Sequence, residues 1–331
     1  MATEKITIKD IAKMAGVSKS TVSRYFNDGY VKEDTKEKIK KIIDEYNYQP
    51  NAFAQSLKAK RSNLIGVIAP TLISTTSSRM LMSIDKYLKD KGYRTIFINT
   101  DHDEKEELRS MENLWRMKVD GIILLATKIT MTHQTLVDKM DIPFLFVAQE
   151  EKLEHSIIND DYNAGKDIGR LVGSKGHKDI MYLGVSRQDY AVGVLRKKGI
   201  VDGLKETGVK KITSLETDFS TETTREVAKD MIKRYKFDMV ICATDTIALA
   251  TYKELIDAGY KIPEEVSLCG FGGYDVSQLI DPSLCTIRFE NEKAGEVAGE
   301  TIIKLINEEE VPLLQVIGYK LINGESIKEI S

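Results

Sequence analysis

Apolar residues along this chain follow three patterns in succession. From Thr7 to Tyr46 they recur at helical spacing. Ile8, Ile11, Ala12 and Ala15 mark the inner face of a first short helix, Val22, Tyr25 and Phe26 that of a second, and Ile39, Ile42, Ile43 and Tyr46 that of a third. Thr7, Ser18 and Asp34 are placed to cap the three helices. Gly16 supplies the tight turn between the first two, where a positive φ costs glycine little. From 47 to 62 the pattern lapses. Pro50 breaks the third helix, and Asn51 can cap one further helix over 52–59. Two turns of isolated helix are largely unfolded in water, so this segment is expected to fold only against a partner.

At Leu64 the texture changes to short continuous apolar runs separated by amphipathic stretches. The runs predict strands over 64–69, 94–99, 121–125, 143–147, 156–159, 179–184, 212–215, 239–242, 266–270, 284–287 and 314–321. Helices are predicted near 78–91, 104–118, 132–140, 162–175, 190–207, 221–235, 245–258 and 291–307. This alternation is the signature of doubly wound α/β sheets. Some 270 residues exceed one typical unit, so two similar subdomains with a ligand cleft between them are expected.

Composition adds one decisive asymmetry. The net charge of −3 argues against a nucleic-acid binder, but the distribution does not. Residues 1–62 hold 13 Lys and Arg against 8 Asp and Glu, whereas the remainder is acidic by 8 charges. A basic helical module joined to an acidic body points to a DNA-facing end and a body with another task. The second helix presents Lys19, Ser20, Thr21, Ser23 and Arg24, donors for phosphates and base edges, with Thr7 and Asn27 at the margins of the helical pair. In the segment that follows, Leu57 is a large apolar residue flanked by Lys58, Lys60 and Arg61. It reads either as a solvated linker or as a hinge that pushes Leu57 into a minor-groove base step.

Enzyme chemistry finds no foothold. There is no Gly-x-Ser-x-Gly elbow, His-Glu-x-x-His or P-loop, and His102, His133, His155 and His177 are scattered. No cofactor or metal site is expected. Cys242, Cys269 and Cys285 show no Cys-x-x-Cys spacing and read as reduced residues of a cytoplasmic protein. No apolar run approaches the ~20 residues that span a bilayer, and no signal-peptide pattern or heptad tail is seen, so neither a membrane partner nor a tail-driven tetramer is expected.

Lys9-Asp10-Ile11-Ala12, Gly16-Val17-Ser18 and Thr21-Val22-Ser23-Arg24 together resemble the headpiece signature of the lactose-repressor (LacI) family. So does Asn47-Tyr48-Gln49-Pro50-Asn51-Ala52-Phe53-Ala54-Gln55-Ser56-Leu57 at the hinge. Ile65-Gly66-Val67-Ile68, Val119-Asp120-Gly121-Ile122-Ile123, Gly176-His177-Lys178-Asp179-Ile180 and Ile262-Pro263-Glu264-Glu265-Val266-Ser267 continue the likeness through the body. Within the family, Tyr182-Leu183-Gly184-Val185 and Ala243-Thr244-Asp245-Thr246 look most like repressors of trehalose and sucrose operons.

The resemblance implies an N-terminal helix-turn-helix headpiece (1–50), a hinge helix or linker (51–62) and a body of two doubly wound α/β subdomains of periplasmic-binding-protein type (63–331). The chain would cross between subdomains more than once, one comprising about 63–160 with 290–320 and the other 161–289 with 321–331. It implies a homodimer on pseudo-palindromic operator DNA, released by a small sugar or sugar-phosphate effector. Lys19 and Ser20 fall on base-reading positions, Arg24 on that helix's arginine, and Ala54 and Leu57 on the minor-groove pair. A sucrose-related effector is favoured over trehalose 6-phosphate. A corepressor or a phosphoprotein partner in place of an inducer stays open.

For the effector, Arg196 in Leu195-Arg196-Lys197-Lys198-Gly199 matches a family arginine that binds sugar hydroxyls or anionic groups, or else is a solvated helix arginine. Phe219 matches an aromatic that stacks on sugar, or else is core. Thr244 and Asp245 end a strand and open a helix, where ligands are contacted, though Asp245 serves equally as an N-cap. The hydroxyl-rich loop from Ser74 and Thr75 to Arg79 suits a polyol or phosphate. Gly272 departs from the family's pattern of an aspartate at that place. The loss of that anion favours a phosphorylated sugar or the backbone approach of a larger disaccharide.

Overall fold

The computed structural model describes residues 6–26, 29–48 and 61–330, and its chain divides into two compact units, Met1–Ser62 and Asn63–Ser331. In the first unit the expected helices form as α1 (Ile8–Met14), α2 (Lys19–Phe26) and α3 (Glu33–Glu45). Thr7 opens α1, its backbone N–H and its hydroxyl both donating to the Asp10 carboxylate at 2.9 and 2.6 Å. Those hydrogen bonds hold the Asp10 pKa below its ordinary value. Gly16 has φ +66° in the turn, and the Thr21 N–H donates to Ser18 Oγ at the start of α2. One expectation is corrected here. Lys32, not Asp34, precedes α3, and Asp34 lies in its first turn, where its charge favours the helix dipole without capping. Ile11, Ala12, Val22 and Ile39 form the small core.

The second unit contains two six-stranded sheets. The first lobe is built from β1 (Leu64–Ala69), α4 (Thr75–Asp90), β2 (Arg94–Asn99), α5 (Glu104–Arg116), β3 (Gly121–Leu125), α6 (Met131–Val137), β4 (Phe144–Val147) and β5 (Ser156–Asn159). The second lobe follows with α7 (Asp161–Ser174), β6 (Ile180–Gly184), a π-helical turn (Tyr190–Arg196) continuing into α8 (Lys197–Glu206), and β7 (Ile212–Glu216). It goes on through α9 (Thr221–Arg234), β8 (Met239–Cys242), α10 (Asp245–Asp257), β9 (Ser267–Phe271) and β10 (Cys285–Phe289). The chain then returns to the first lobe as α11 (Asn291–Ile306), which packs on α4, and β11 (Leu314–Ile317), and ends in the second as β12 (Tyr319–Ile322).

The sheet orders are β11-β5-β4-β3-β1-β2 and β12-β10-β9-β8-β6-β7, the same winding twice. All pairings are parallel except β12 with β10. The central strands β1, β3, β4, β6, β8 and β9 are buried almost throughout because helices cover both faces, as a parallel sheet requires. Three connections join the lobes: at Asp160, at Glu290 and at Gly318.

The last of these corrects the sequence reading. The apolar run 314–321 is not one strand but two. Ile317 pairs with Asn159 in the first sheet, whereas Tyr319 pairs with Phe289 in the second, with Gly318 at the change of partner. The helix expected over 190–207 also begins in a π-helical turn, a rare geometry that recurs at functional sites. The three cysteines are buried in the second lobe. Burial pushes the Cys242 thiol up to about 12 and that of Cys285 to about 11, so neither is a ready nucleophile. No described helix is long and apolar enough to cross a membrane.

Candidate functional site

Parallel strands present their carboxyl ends, and the loops that leave them, on one edge of a sheet. Here those edges of the two sheets face each other across a cavity of about 210 Å³, room for a small ligand rather than a peptide. The first lobe lines it with Ser74, Thr76, Ser77, Thr127, Gln149 and Asn159, all uncharged. The second contributes Asp161, Asp189 and Arg196, with Phe219, Phe271 and Phe289 around them.

Arg196 is the centre of the second lobe's wall. It is only 5% exposed. Its Nε donates to Asp161 Oδ1 at 2.8 Å, Nη2 donates to the same oxygen, and Nη1 donates to the Ala243 carbonyl. The guanidinium carbon lies 4.9 Å from the Phe271 ring centre and 5.0 Å from that of Phe289. Glycines make this placement possible. A Cβ on Gly165 would stand 2.3 Å from the Arg196 carbonyl oxygen, and one on Gly199 would stand 2.0 Å from that of Tyr162. With those side chains absent, α7 and α8 touch backbone to backbone, and Asp161 at the start of one reaches Arg196 at the start of the other.

The other sequence-derived candidates divide. Ser74 lines the cavity and caps α4, its Oγ accepting from the Ser77 N–H at 3.1 Å, but Thr75 does not line it and Thr76 and Ser77 do. Phe219 lines it, and its ring lies nearly parallel to that of His102 in the first lobe, centres 6.4 Å apart. Thr244 lines it and caps α10, accepting from the Ile247 N–H. Asp245, expected either as a ligand contact or as that cap, does not line the cavity and is not the cap. It is fully buried, and its carboxylate accepts from Thr286 Oγ1, Ser277 Oγ at 2.8 Å and the Tyr274 N–H at 3.0 Å. Burial raises its pKa despite those bonds. Its work is to hold the loop after β9.

Gly272 lines the cavity with φ +153°, and a Cβ there would stand 2.6 Å from the Tyr274 ring. The aromatic ring takes the space that a side chain at 272 would need.

Sequence reasoning missed Asp161, Asp189, Gln149 and Asn159. Asp189 caps the π-helical turn, accepting from the Val192 N–H at 3.0 Å, and also accepts from Gln149 Nε2 at 3.1 Å across the lobe boundary. Asn159 Oδ1 is buried without a hydrogen-bond partner among the described residues. The one available signal was position: Asn159 ends a predicted strand, and Gln149, Asp161 and Asp189 follow one by two to five residues.

In the headpiece, Lys19, Ser20 and Arg24 are exposed on α2, and Thr21 and Ser23 are partly buried. Ser20 and Thr21 share hydrogen bonds with Ser18 at 2.7 and 2.9 Å, and Thr7 is exposed at the start of α1. Asn27, Asn51, Ala54, Leu57 and Lys58 lie outside the described residues.

Residues 7–51 match the family described as bacterial regulatory proteins, lacI family, and residues 62–323 match the periplasmic binding proteins and sugar binding domain of LacI family. The chain is 38% identical over 301 residues to the sucrose operon repressor of Staphylococcus xylosus, covering 90% of this chain and 93% of that one. It is 30% identical over 312 residues to the ribose operon repressor of Lactococcus lactis, covering 92% of each. Its fold superposes on a lac repressor dimer bound to operator and an anti-inducer with a TM-score of 0.90, at 23% identity, covering 98% of this chain and all of that one. The chain therefore belongs to the LacI family of bacterial regulatory proteins, and is a sugar-responsive transcriptional repressor rather than an enzyme.

Proposed function

We propose that this repressor binds a pseudo-palindromic operator as a homodimer and is released when a sucrose-related sugar occupies the cleft between its lobes. In each headpiece α2 would enter the major groove, with Lys19 and Ser20 reading bases and Arg24 supporting them. Leu57, with Ala54 beside it, would wedge into the minor groove at the centre of the site. Acting on the chromosome, the protein would work in the cytoplasm.

The observation that carries this reading is the way the cleft is closed. Pairs of residues from opposite lobes touch around it: His102 with Phe219, Gln149 with Asp189, and Arg79 with Asp275. A ligand seated between them contacts both lobes and so has a differential affinity for their arrangements, which is what coupling to a second site requires. The similarity to a sucrose operon repressor supports the choice of sugar.

The test is fluorescence anisotropy of the full-length protein on an operator selected from random DNA, titrated with sucrose. Release of DNA with at least a tenfold loss of affinity, a coupling of about 1.4 kcal/mol, is the expected result. Tighter binding on adding sucrose would make the sugar a corepressor and overturn the inducer reading.

A further inference from the structure

The effector reading leaves open what kind of ligand chemistry the cleft accepts. Its charge inventory is unusual for a site open to sugar phosphates. Among the described lining residues Arg196 is the sole lysine or arginine, and it faces two carboxylates, Asp161 and Asp189. Nor is Arg196 a free cation: Asp161 matches its charge, and three of its five N–H groups already donate to Asp161 and to the Ala243 carbonyl. A phosphate brought here would meet net negative charge in a partly desolvated site, where such repulsion is strong.

What the cleft has in surplus is acceptors. Asn159 Oδ1 is buried and has no partner among the described residues. Asp189 accepts two N–H groups through Oδ1, from Gln149 and Val192, and among the described residues no hydrogen-bond donor is placed on its Oδ2. Burial raises the Asp189 pKa above its ordinary value, against the pull of the Val192 N–H, Arg196 and Gln149 in the other direction. A ligand that brings hydroxyl donors satisfies these groups, and one that brings a phosphate does not.

We propose that the cleft is built for an uncharged, hydroxyl-rich ligand, and that Asp189, tied across the lobe boundary to Gln149, is the residue that determines this specificity. Asp189 accepts a ligand hydroxyl and repels a phosphate, while the tie to Gln149 makes that contact depend on how the lobes sit. This inference rests on the cleft being the effector site. Of the two expectations drawn from Gly272 it opposes the phosphorylated sugar and leaves the larger disaccharide, because the cleft holds a carboxylate at Asp189 whatever stands at 272.

Isothermal titration of the full-length protein tests it, with sucrose, trehalose, glucose and fructose set against sucrose 6-phosphate, trehalose 6-phosphate, glucose 6-phosphate and fructose 1-phosphate. The tightest neutral sugar should bind at least tenfold more tightly than its own phosphate. Asp189→Asn keeps the acceptor that caps Val192 and removes the charge. It should weaken the neutral sugar by about tenfold or more, the scale of a charge-assisted hydrogen bond, and shrink its advantage over the phosphate. A thermal melt of the variant, and Gln149→Ala in parallel, show that the effect is not unfolding, since a merely structural loss would weaken both ligands alike. A phosphate that binds as tightly as its neutral sugar, or an Asp189→Asn protein with unchanged preference, overturns the specificity assignment and leaves the effector site standing. Failure of every sugar and phosphate to bind overturns the effector reading and this inference with it.

Discussion

The first and second lobes wind five parallel strands in the same order, yet they bring opposite materials to the cleft between them. The first offers hydroxyls and amides on the loops after β1, β3, β4 and β5. The second offers a buried ion pair, Arg196 with Asp161, packed between two phenylalanine rings. The first lobe has a buried polar pair as well, His133 Nε2 with Glu107 Oε1 at 2.7 Å, but it ties α6 to α5 and does not line the cleft. The difference teaches where rigidity is kept. An ion pair removed from water is costly to disturb, and placing it at the ligand wall makes the second lobe the fixed half of the site. The first lobe's neutral side chains can change partners at little cost, which suits the half that rearranges.

Changing one partner of each buried pair tests that contrast most strongly. Arg196→Ala leaves Asp161 buried without its cation and should cost about 3–5 kcal/mol. Glu107→Gln keeps an acceptor for His133 and should cost about 1 kcal/mol. Urea denaturation of each variant reads the difference. Equal losses would break the assignment of the second lobe as the fixed half.

The helix pairs outside the cleft sharpen the comparison at lower amplitude. A Cβ on Gly169 of α7 would stand 2.3 Å from the Ile200 carbonyl oxygen, which the backbone of α8 fixes in place. In the first lobe a Cβ on Gly299 of α11 would meet the Tyr87 side chain of α4, 2.9 Å away at its nearest. Gly169→Ala should therefore cost about 1–3 kcal/mol through overpacking. Gly299→Ala should fall within about 1 kcal/mol of neutral, because the helix-propensity gain of alanine offsets the shift of one ring. Thermal unfolding of both proteins checks the order, and a milder effect at Gly169 would show that α7 and α8 can slide apart.

What could be read from the sequence follows the range of the forces involved. Strand and helix alternation was legible because burial on both sheet faces writes continuous apolar runs, as in Ile122 to Leu125. The helix-turn-helix was legible because its caps and turn are local, from Thr7 to Ser18. The split at Gly318 was not, since the run stays apolar while its pairing partner changes from Asn159 to Phe289. Nor was the fate of Asp245, whose acceptor role is set by Thr286, 41 residues away. Arg196 was found by resemblance, but its partner Asp161 depends on two helices meeting through Gly165 and Gly199. The four-residue spacing of Gly165, Gly169 and Gly173 was the legible trace of that contact.

The smallest expected effect lies where the two lobes meet. Arg79 of α4 donates from Nη2 to Asp275 Oδ2 at 3.0 Å and lies 3.7 Å from Glu292 Oε1. Asp275 is 80% exposed, so water and salt screen the pair, and Arg79→Gln should cost no more than about 1 kcal/mol of stability. Its use is in what it isolates. If the lobes are held in register mainly by the ligand and by Asp189 with Gln149, effector affinity in Arg79→Gln should stay within about threefold of the parent, a change of about 0.7 kcal/mol. The affinity of the parent should also vary with salt slightly more than that of the variant. A loss beyond tenfold would place the control of lobe geometry in an exposed ion pair, and the fixed and yielding halves would then be properties of the boundary rather than of the lobes.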